Sequence, residues 1–301
     1  MQAITRLLLL FVFFSFACTS KKKSSGQKKE KAHNIIVLLD LSDRLTLPGQ
    51  VNRDTLLLRQ IYTAFEERVR KQMYINAQDQ LQVLVAPQRS LPAHTETIEN
   101  RLRINMQEVP VKERSGFLKK KRPVFFQQVD SLYHAAAQRP ASSFSGSDIW
   151  KFFDQYLRNY LVPDTNTENR IIVLTDGYFD FESLKDKKQQ GCRYSYSEKL
   201  MQKGRVPVPG NMAPELFFQQ IFDSCGLIPV HINQGNTGIL VAEMTARNSY
   251  EYELELLEAM WSGWYNTMGI GYISFVRKND VETVKRKLSQ FIIQPRGATG
   301  R

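Results

Sequence analysis

Many enzymes can be recognised by short motifs, and this sequence of 301 residues lacks the common ones. It contains no Gly-x-Ser-x-Gly, no Walker phosphate-binding sequence, no His-Glu-x-x-His and no Cys-x-x-Cys. Its four histidines are widely separated, so they offer no metal-binding or catalytic pair, and a lone histidine in a loop is expected to be solvated: they are His33, His94, His134 and His231. These absences favour a binding function over a catalytic one.

A hydrophobic run long enough to cross a bilayer is also absent from the amino end. The apolar segment 7–14 has eight residues, whereas a membrane-spanning helix needs about 20. Its length is typical of a signal-peptide core. Cys18 stands where bacterial lipoprotein signals are cleaved, so we predict a lipoprotein signal peptide over residues 1–18 and a lipid on Cys18. Phe16 departs from the usual sequence before that cysteine, which leaves ordinary secretion as the alternative.

Either kind of signal takes the protein out of the cytoplasm. We expect a lipid-anchored protein of a Gram-negative cell envelope, held at the outer membrane and facing the periplasm. Residues 19–33 are predicted to form a tether, because their lysines and serines cannot bury a core. A lysine-rich tether beside a lipid anchor suits a position near anionic lipid, so the lipid bilayer is one expected partner.

Positive charge is concentrated in short segments of the chain. The formal net charge is +11, of which the tether contributes +5 and residues 112–122 another +5. The remainder of the chain is close to neutral. A nucleic-acid partner is therefore not expected, because no broad basic face remains to bind it.

Cysteine is scarce, with Cys18, Cys192 and Cys225 as its three positions. If Cys18 carries the lipid, an even pair remains in an oxidising compartment, which favours a disulfide between Cys192 and Cys225. The alternative is that Cys225, which lies close to Ile221 and Phe222, is simply a buried thiol.

Two apolar runs end abruptly in a carboxylate. Residues 35–39 lead into Asp40 and Ser42, and residues 171–174 lead into Thr175 and Asp176. An unbroken apolar run of this length predicts a strand buried on both faces. Because ligands of open parallel sheets bind beyond the carboxyl ends of the strands, both aspartates are expected at a binding crevice.

The remaining periodicity predicts strands and helices in alternation. We expect an α/β fold with a doubly wound, mostly parallel, Rossmann-like sheet flanked by helices, in one domain over 34–295. An insertion over about 178–237 follows the fourth strand, residues 88–122 form a surface loop with a basic end, and residues 296–301 are frayed. The other predicted helices are 52–73, 125–136, 149–160, 214–225, 251–268 and 280–292, and the other predicted strands are 80–86, 239–245 and 272–276.

Three motifs together resemble one known family. Asp40-x-Ser42 after the first strand, Ser147 at the start of a helix and Asp176 after the fourth strand are similar in order and spacing to the von Willebrand factor A domain and its metal-ion-dependent adhesion site. The resemblance implies a Mg²⁺ or other divalent cation held by Asp40, Ser42, Ser147 and Asp176. It also implies a protein partner whose acidic residue completes the metal shell.

Arg44 is the departure from that pattern, because the family places a second serine there. An arginine at this position is expected to neutralise Asp40 or Asp176 by a charge-assisted hydrogen bond, which leaves no need for a metal. Asp43 offers an alternative oxygen ligand.

The insertion leaves the sheet at the same edge as the crevice. Its polar and aromatic side chains are therefore expected either to rim a binding surface or to form a peripheral embellishment: Asp180, Phe181, Lys187, Lys188, Arg193 and Tyr196.

One enzymatic alternative remains, a haloacid-dehalogenase-like phosphatase with Asp40 as nucleophile and Thr175 at the phosphate. That family has Asp-x-Asp where this chain has Asp40-x-Ser42, and an acidic pair where Glu243 stands alone. We therefore expect a non-catalytic, lipid-anchored envelope protein that binds another, unidentified protein of the envelope.

Overall fold

The centre of the protein is a sheet of six strands. The computed structural model describes residues 30–139, 146–179 and 187–294. The order of this sheet is β3-β2-β1-β4-β7-β8, and among its described strands β3 alone runs antiparallel to its neighbour. This order confirms the predicted doubly wound, mostly parallel α/β fold. The strands are β1 (Ala32–Leu39), β2 (Gln80–Val85), β3 (Ile104–Asn105), β4 (Thr167–Leu174), β5 (Gln189–Gln190), β6 (Arg193–Tyr194), β7 (Thr237–Met244) and β8 (Tyr272–Arg277).

Helices cover both faces of this sheet. They are α1 (Gln50–Lys71), α2 (Thr95–Leu102), α3 (Arg114–Ala137), α4 (Ile149–Lys151, continued by irregular helical turns to Asn159), α5 (Glu198–Gly204), α6 (Pro214–Ser224), α7 (Glu253–Asn266) and α8 (Val281–Ile293). One core contains α1, α3 and α8, and the other contains α4, α6 and α7. Along β1, Val37 faces the first core and Ile36 the second, so the strand is buried on both sides as its apolar run predicts.

β1 begins at Ala32, so the last two residues of the predicted tether belong to the sheet, and His33 is buried there. The His33 amide donates to Asp79 Oδ1 at 2.7 Å, and the ring Nδ1 lies 2.9 Å from the Ile292 carbonyl oxygen. Burial, with nearby arginine charges, lowers the pKa of His33. The expectation of a solvated histidine is therefore wrong at this position.

The basic run 119–122 lies on α3, so its assignment to a surface loop is wrong. The run is followed by Pro123 inside the helix, and both features hide the helical period. Tertiary packing nevertheless holds this part of the helix, since the Tyr62 hydroxyl donates to the Leu118 carbonyl at 2.7 Å. Lys119, Lys120 and Arg122 are exposed, whereas Lys121 is half-buried on the face of the helix that also carries the buried Leu118 and Phe125.

The insertion after β4 has a small structure of its own. It contains the β5–β6 hairpin, α5 and α6, and the last of these is the helix predicted near 214–225. Cys192 and Cys225 form a disulfide, with Cα atoms 5.2 Å apart, that joins the hairpin to the end of α6.

Several insertion side chains proposed as a rim are used in contacts within the insertion or with α4. Lys187 lies over the Tyr196 ring at 4.8 Å, and Lys188 lies over the Trp150 ring at 4.5 Å. Arg193 donates to backbone carbonyls of the same segment. These contacts favour the alternative of a peripheral embellishment for the described part of the insertion.

Some predicted features lie outside the described residues. These are Cys18 with the signal peptide, most of the tether, Asp180, Phe181 and the terminus 296–301. Within the described ranges, no helix is both long enough and apolar enough to cross a membrane.

Candidate functional site

Three adjacent strands end side by side at the candidate site. β1 is followed by Asp40, β4 by Thr175 and Asp176, and β7 by Thr245. The Asp40 amide donates to the Leu174 carbonyl and the Thr245 amide to the Asp176 carbonyl, each at 3.1 Å. These backbone bonds extend the order of the strands into the loops, so Asp40 and Asp176 lie at one edge of the sheet.

Asp40 is a buried hydrogen-bond acceptor. Its Oδ1 accepts the Ser42 amide at 2.9 Å, and its Oδ2 accepts the Thr175 hydroxyl at 2.7 Å. Only 2% of the residue is exposed. Both carboxylate oxygens are thus used to join the loops after β1 and β4.

Arg44 turns inward but pairs with neither predicted aspartate side chain. Its Nη1 and Nη2 donate to the two oxygens of Asp54 on α1 at 2.7 and 3.1 Å, and Nη1 also donates to the Asp40 backbone carbonyl at 3.1 Å. The expectation of a pair with the Asp40 or Asp176 carboxylate is therefore wrong. It fails because α1 brings another carboxylate within reach of the short helical turn Asp43–Thr46.

The Arg44–Asp54 pair is the centre of a buried network. Burial lowers the pKa of the Arg44 guanidinium, but the charges of Asp54 and Asp40 raise it by more, so the net pKa is raised and the group stays charged. Asp54 also accepts the Gln50 amide at 2.8 Å and the Tyr133 hydroxyl at 3.1 Å. The loop after β1 is fixed by these bonds to α1 and α3.

Arg247, from the loop after β7, is the cation that pairs with Asp176. Its Nε donates to Asp176 Oδ2 at 2.6 Å, and Nη2 lies 3.4 Å from Asp43 Oδ1. The guanidinium lies over the Tyr178 ring at 4.5 Å, and the Tyr178 amide faces Asp176 Oδ1 at 3.3 Å. One arginine therefore spans the loops that follow β1, β4 and β7.

Asp176 needs this partner to carry its charge. Burial raises the pKa of its carboxyl to about 6, the Arg247 charge lowers it, and the nearby Asp40 charge raises it again. The contribution of Asp40 indicates that the two carboxylates are electrostatic neighbours. Arg247 thus stabilises the charged form of a buried acid against both burial and a like charge.

The two serines of the predicted site differ in their surroundings. Ser42 is 1% exposed, and its Oγ has no hydrogen-bond partner among the described residues. The Ser147 hydroxyl donates to Gln88 Oε1 at 3.4 Å, so this bond joins Ser147 to the loop after β2. The cap of α4 is Asp148, whose side chain accepts the Lys151 amide at 2.7 Å.

Glu243 adds a further buried carboxylate at the end of β7. It has φ of 76° at a β-bulge between Ala242 and Met244, which is unusual backbone for a residue with a side chain. Arg53 on α1 holds it, donating to both carboxylate oxygens and to the Asn279 carbonyl. Such strained positions often occur at functional sites.

A surface cleft of about 340 Å³ lies between these loops. Charged groups enter it from three strand ends, beside one partly exposed apolar side chain, Leu47. The cleft is lined in part by Asp43, Leu47, Gln50, Asp176, Thr245 and Arg247.

The side chains of this edge do not fit a divalent cation as they stand. The carboxylate oxygens of Asp40 and Asp176 already accept hydrogen bonds, and a guanidinium lies against Asp176. Arg44 stands where the resembling family has a second serine ligand. Among the described residues, no group of three or more histidine, cysteine, aspartate and glutamate side chains is arranged to hold a metal ion.

Arg247 was missed by the sequence reasoning. Asp176 and Arg247 are 71 positions apart, and the arginine belongs to no motif. The available signal was its position just after the predicted strand 239–245, because residues at the carboxyl ends of neighbouring parallel strands converge.

Comparisons with known proteins give only distant similarity. No family model and no curated protein matches the sequence. An aerotolerance-related membrane protein from Bacteroides fragilis is 10% identical over 87% of this chain and 98% of that chain, with a TM-score of 0.33. The conserved hypothetical protein BatB from Bacteroides thetaiotaomicron is 11% identical over 87% and 97%, with a TM-score of 0.33. The pilus adhesin SpaC from Lactobacillus rhamnosus GG is 13% identical over 89% of this chain and 30% of that chain, with a TM-score of 0.41. These values are too low to assign a function.

Proposed function

We propose that this chain is a non-catalytic, lipid-anchored envelope protein whose von Willebrand A-like domain binds another protein at the carboxyl edge of its sheet. Cys18 carries the anchor, and the tether carries the domain away from the outer membrane into the periplasm. The partner docks at the cleft formed by the loops after β1, β4 and β7. Binding by this site proceeds without a divalent cation.

The observation that carries this proposal is the convergence of charge at that cleft. The Asp43 side chain is exposed and that of Arg247 is partly exposed. The carboxylates of Asp40 and Asp176 are buried and accept hydrogen bonds. The adjacent Leu47 is 44% exposed. A partly exposed apolar side chain beside fixed charges is the composition expected of a small protein-binding surface.

The contacts of Asp40 support binding over phosphatase chemistry. A nucleophilic carboxylate needs one oxygen directed at the substrate, whereas both Asp40 oxygens accept hydrogen bonds from the chain's own loops. Glu243, the acid that would serve a phosphatase metal site, is bound by Arg53.

The docking surface is tested by replacing Leu47 with glutamate. We expect affinity for the partner, once that protein is captured from detergent-solubilised envelopes and purified, to fall at least about tenfold, because a charge would enter the apolar part of the cleft. The matched control is Val111→Glu, since Val111 is 48% exposed in the turn between β3 and α3. Equal affinities for the two variants, measured by calorimetry, would contradict docking at the cleft.

Anchoring through Cys18 is tested separately. We expect Cys18→Ser to release the protein from the membrane fraction or to stall its processing, because the serine hydroxyl cannot carry the thioether-linked lipid. Fractionation and mass spectrometry of the mature amino terminus provide the measurement. Unchanged fractionation together with an unlipidated wild-type amino terminus would rule the anchor out.

A further inference from the structure

An exposed apolar loop lies at the edge of the sheet where the parallel strands begin, here called the amino edge. Met73 and Ile75, in the connection from α1 to β2, are 71% and 66% exposed, the two highest values among the large hydrophobic side chains of the described residues. Between them, Tyr74 is half-buried and packs against the first core. Single exposed hydrophobic residues are common on protein surfaces, but two of them beside an anchored tyrosine form a small apolar projection.

This loop is held in an unusual backbone conformation. Met73 and Tyr74 have φ of 52° and 60°, in the left-handed region that residues with side chains rarely adopt. The buried Arg114 fixes the loop from the start of α3, because its Nη1 donates to the carbonyl oxygens of Tyr74 at 2.6 Å and Ile75 at 3.0 Å. Strained backbone that the surrounding structure holds in place often belongs to a functional surface.

The side chains around the loop are predominantly basic. The exposed cations at the end of α1, in the turn before α3 and on the first turns of α3 are Arg70, Lys71, Lys112, Lys119 and Lys120. Side chains of a helix lean toward its amino end, so the two lysines on α3 lean toward the loop. The acids of the same segments are fewer and are Glu67, Glu108 and Glu113. An apolar tip with a basic surround is complementary to an anionic lipid surface.

The tether enters the domain beside this loop. The His33 amide and the Gln72 side-chain amide donate to the two oxygens of Asp79, at 2.7 and 2.9 Å. Gln72 directly precedes Met73, so one carboxylate joins the start of β1 to the loop. The lysine-rich residues 21–31 are covalently continuous with that start. An anchor at the amino terminus therefore reaches the domain at the edge that carries the apolar loop.

We propose that Met73, Ile75 and the surrounding basic side chains dock the domain onto an anionic phospholipid bilayer, independently of any lipid on Cys18. The apolar tip enters the interfacial region of the bilayer, and the lysines bind the headgroup phosphates. A surface this small binds weakly, so docking is reversible. The domain thus alternates between the bilayer and the reach of its tether.

The docking surface and the cleft lie at opposite edges of the sheet. β1 runs from one to the other with eight residues, a length of about 26 Å at about 3.3 Å per residue. A docked domain therefore presents its cleft away from the membrane. The inference goes beyond the proposed function, because no residue of the partner site belongs to the docking surface.

Vesicle sedimentation tests the proposal without a partner. The chain from residue 19 onward is used, because it lacks the apolar signal segment and the lipid, while both cores and every described strand and helix lie after residue 31. The parent is expected to sediment with vesicles of equal parts phosphatidylglycerol and phosphatidylcholine, and to stay in solution with phosphatidylcholine alone. Met73→Asn/Ile75→Asn should lower partitioning onto the anionic vesicles at least about tenfold, since the apolar tip is lost. Asparagine accepts left-handed backbone well, so the loop should keep its conformation.

Two matched controls separate this surface from general effects of polarity and charge. Val206→Asn/Leu216→Asn replaces two other exposed apolar side chains, 37% and 58% exposed in the insertion, and should bind vesicles as the parent does. Lys112→Glu should weaken binding at least about fivefold. Lys199→Glu, on α5, makes the same change of charge away from the loop and should have a much smaller effect.

Thermal melting followed by circular dichroism shows which variants are folded, and Lys112→Glu decides the outcome if the loop variant is not. Equal vesicle binding by the loop variant and its control would overturn the proposal and assign the binding to the tether. A parent that ignores anionic vesicles would overturn it too, and dimers lost in the loop variant would then assign the loop to a contact between two copies. Failure of partner capture, in contrast, would contradict only the proposed function.

Discussion

Replacing Asp54 with alanine is expected to lower the free energy of unfolding by about 3–5 kcal/mol, the cost of breaking a buried ion pair. The side chains of Arg44 and Asp54 are 2% and 0% exposed, so water cannot replace the missing carboxylate. The Gln50 amide and the Tyr133 hydroxyl lose their acceptor at the same time. Urea unfolding followed by circular dichroism measures the loss.

A surface pair gives the comparison for this result. Arg103 and Glu108 form an ion pair with side chains 46% and 58% exposed, so Arg103→Ala should change the free energy of unfolding by no more than about 1 kcal/mol. Asp54→Asn, which keeps an acceptor oxygen but removes the charge, should fall between the two variants. Equal losses for Asp54→Ala and Arg103→Ala would show that the buried network does not hold the loop after β1.

Removal of the Cys192–Cys225 disulfide is expected to lower the free energy of unfolding by nearly as much as Asp54→Ala does. The cysteines are 33 positions apart, and closing a loop of that length contributes about 3–4 kcal/mol in the chain-entropy model. The double variant Cys192→Ser/Cys225→Ser should therefore melt roughly 10 °C below the parent. The comparison is made in a Cys18→Ser background, so that no third thiol can exchange.

Reduction provides an independent check on the disulfide. Dithiothreitol should lower the melting temperature of the parent to that of the double variant and leave the double variant unchanged. An unchanged parent under reducing conditions, with both thiols shown to be alkylated after unfolding, would mean that the link contributes no stability.

The strands at the centre of the sheet were predictable because strands buried on both faces contain unbroken runs of apolar residues. The carboxyl-terminal parts of β1 and β4, residues 35–39 and 171–174, are apolar at every position, since each strand is covered there on both faces. α8 was predictable for a related reason, as Val284, Leu288 and Phe291 repeat at helical spacing toward one core. Asp280 caps this helix, because its side chain accepts the Thr283 amide at 2.9 Å.

The first turns of α3 were not predictable from local pattern. Lysines and a proline dominate residues 119–123, and the helix there is selected by packing against α1. Distant residues in the chain supply that packing. Tertiary contacts of this kind override local propensity and leave little trace in a short window of sequence.

The candidate site was also predictable only in part. Asp40 and Asp176 follow their strands directly, so the strand assignments place them at the same edge of the sheet. Their charge partners depend on longer-range geometry. Arg44 reaches Asp54 only because the chain turns at Gly49, with φ of 76°, before α1 begins, and Arg247 reaches Asp176 from a different strand.

β1 connects the proposed anchor to the proposed binding site. Its amino end at Ala32 continues the tether, and its carboxyl end leads directly into Asp40. A partner pulling on the cleft would load this strand along its own axis, between two parallel neighbours. Six registered residue pairs with β2 and eight with β4 would bear that force together, instead of separating one after another. With the anchor and the cleft acting as proposed, tension between the partner and the membrane would pass through this buried strand.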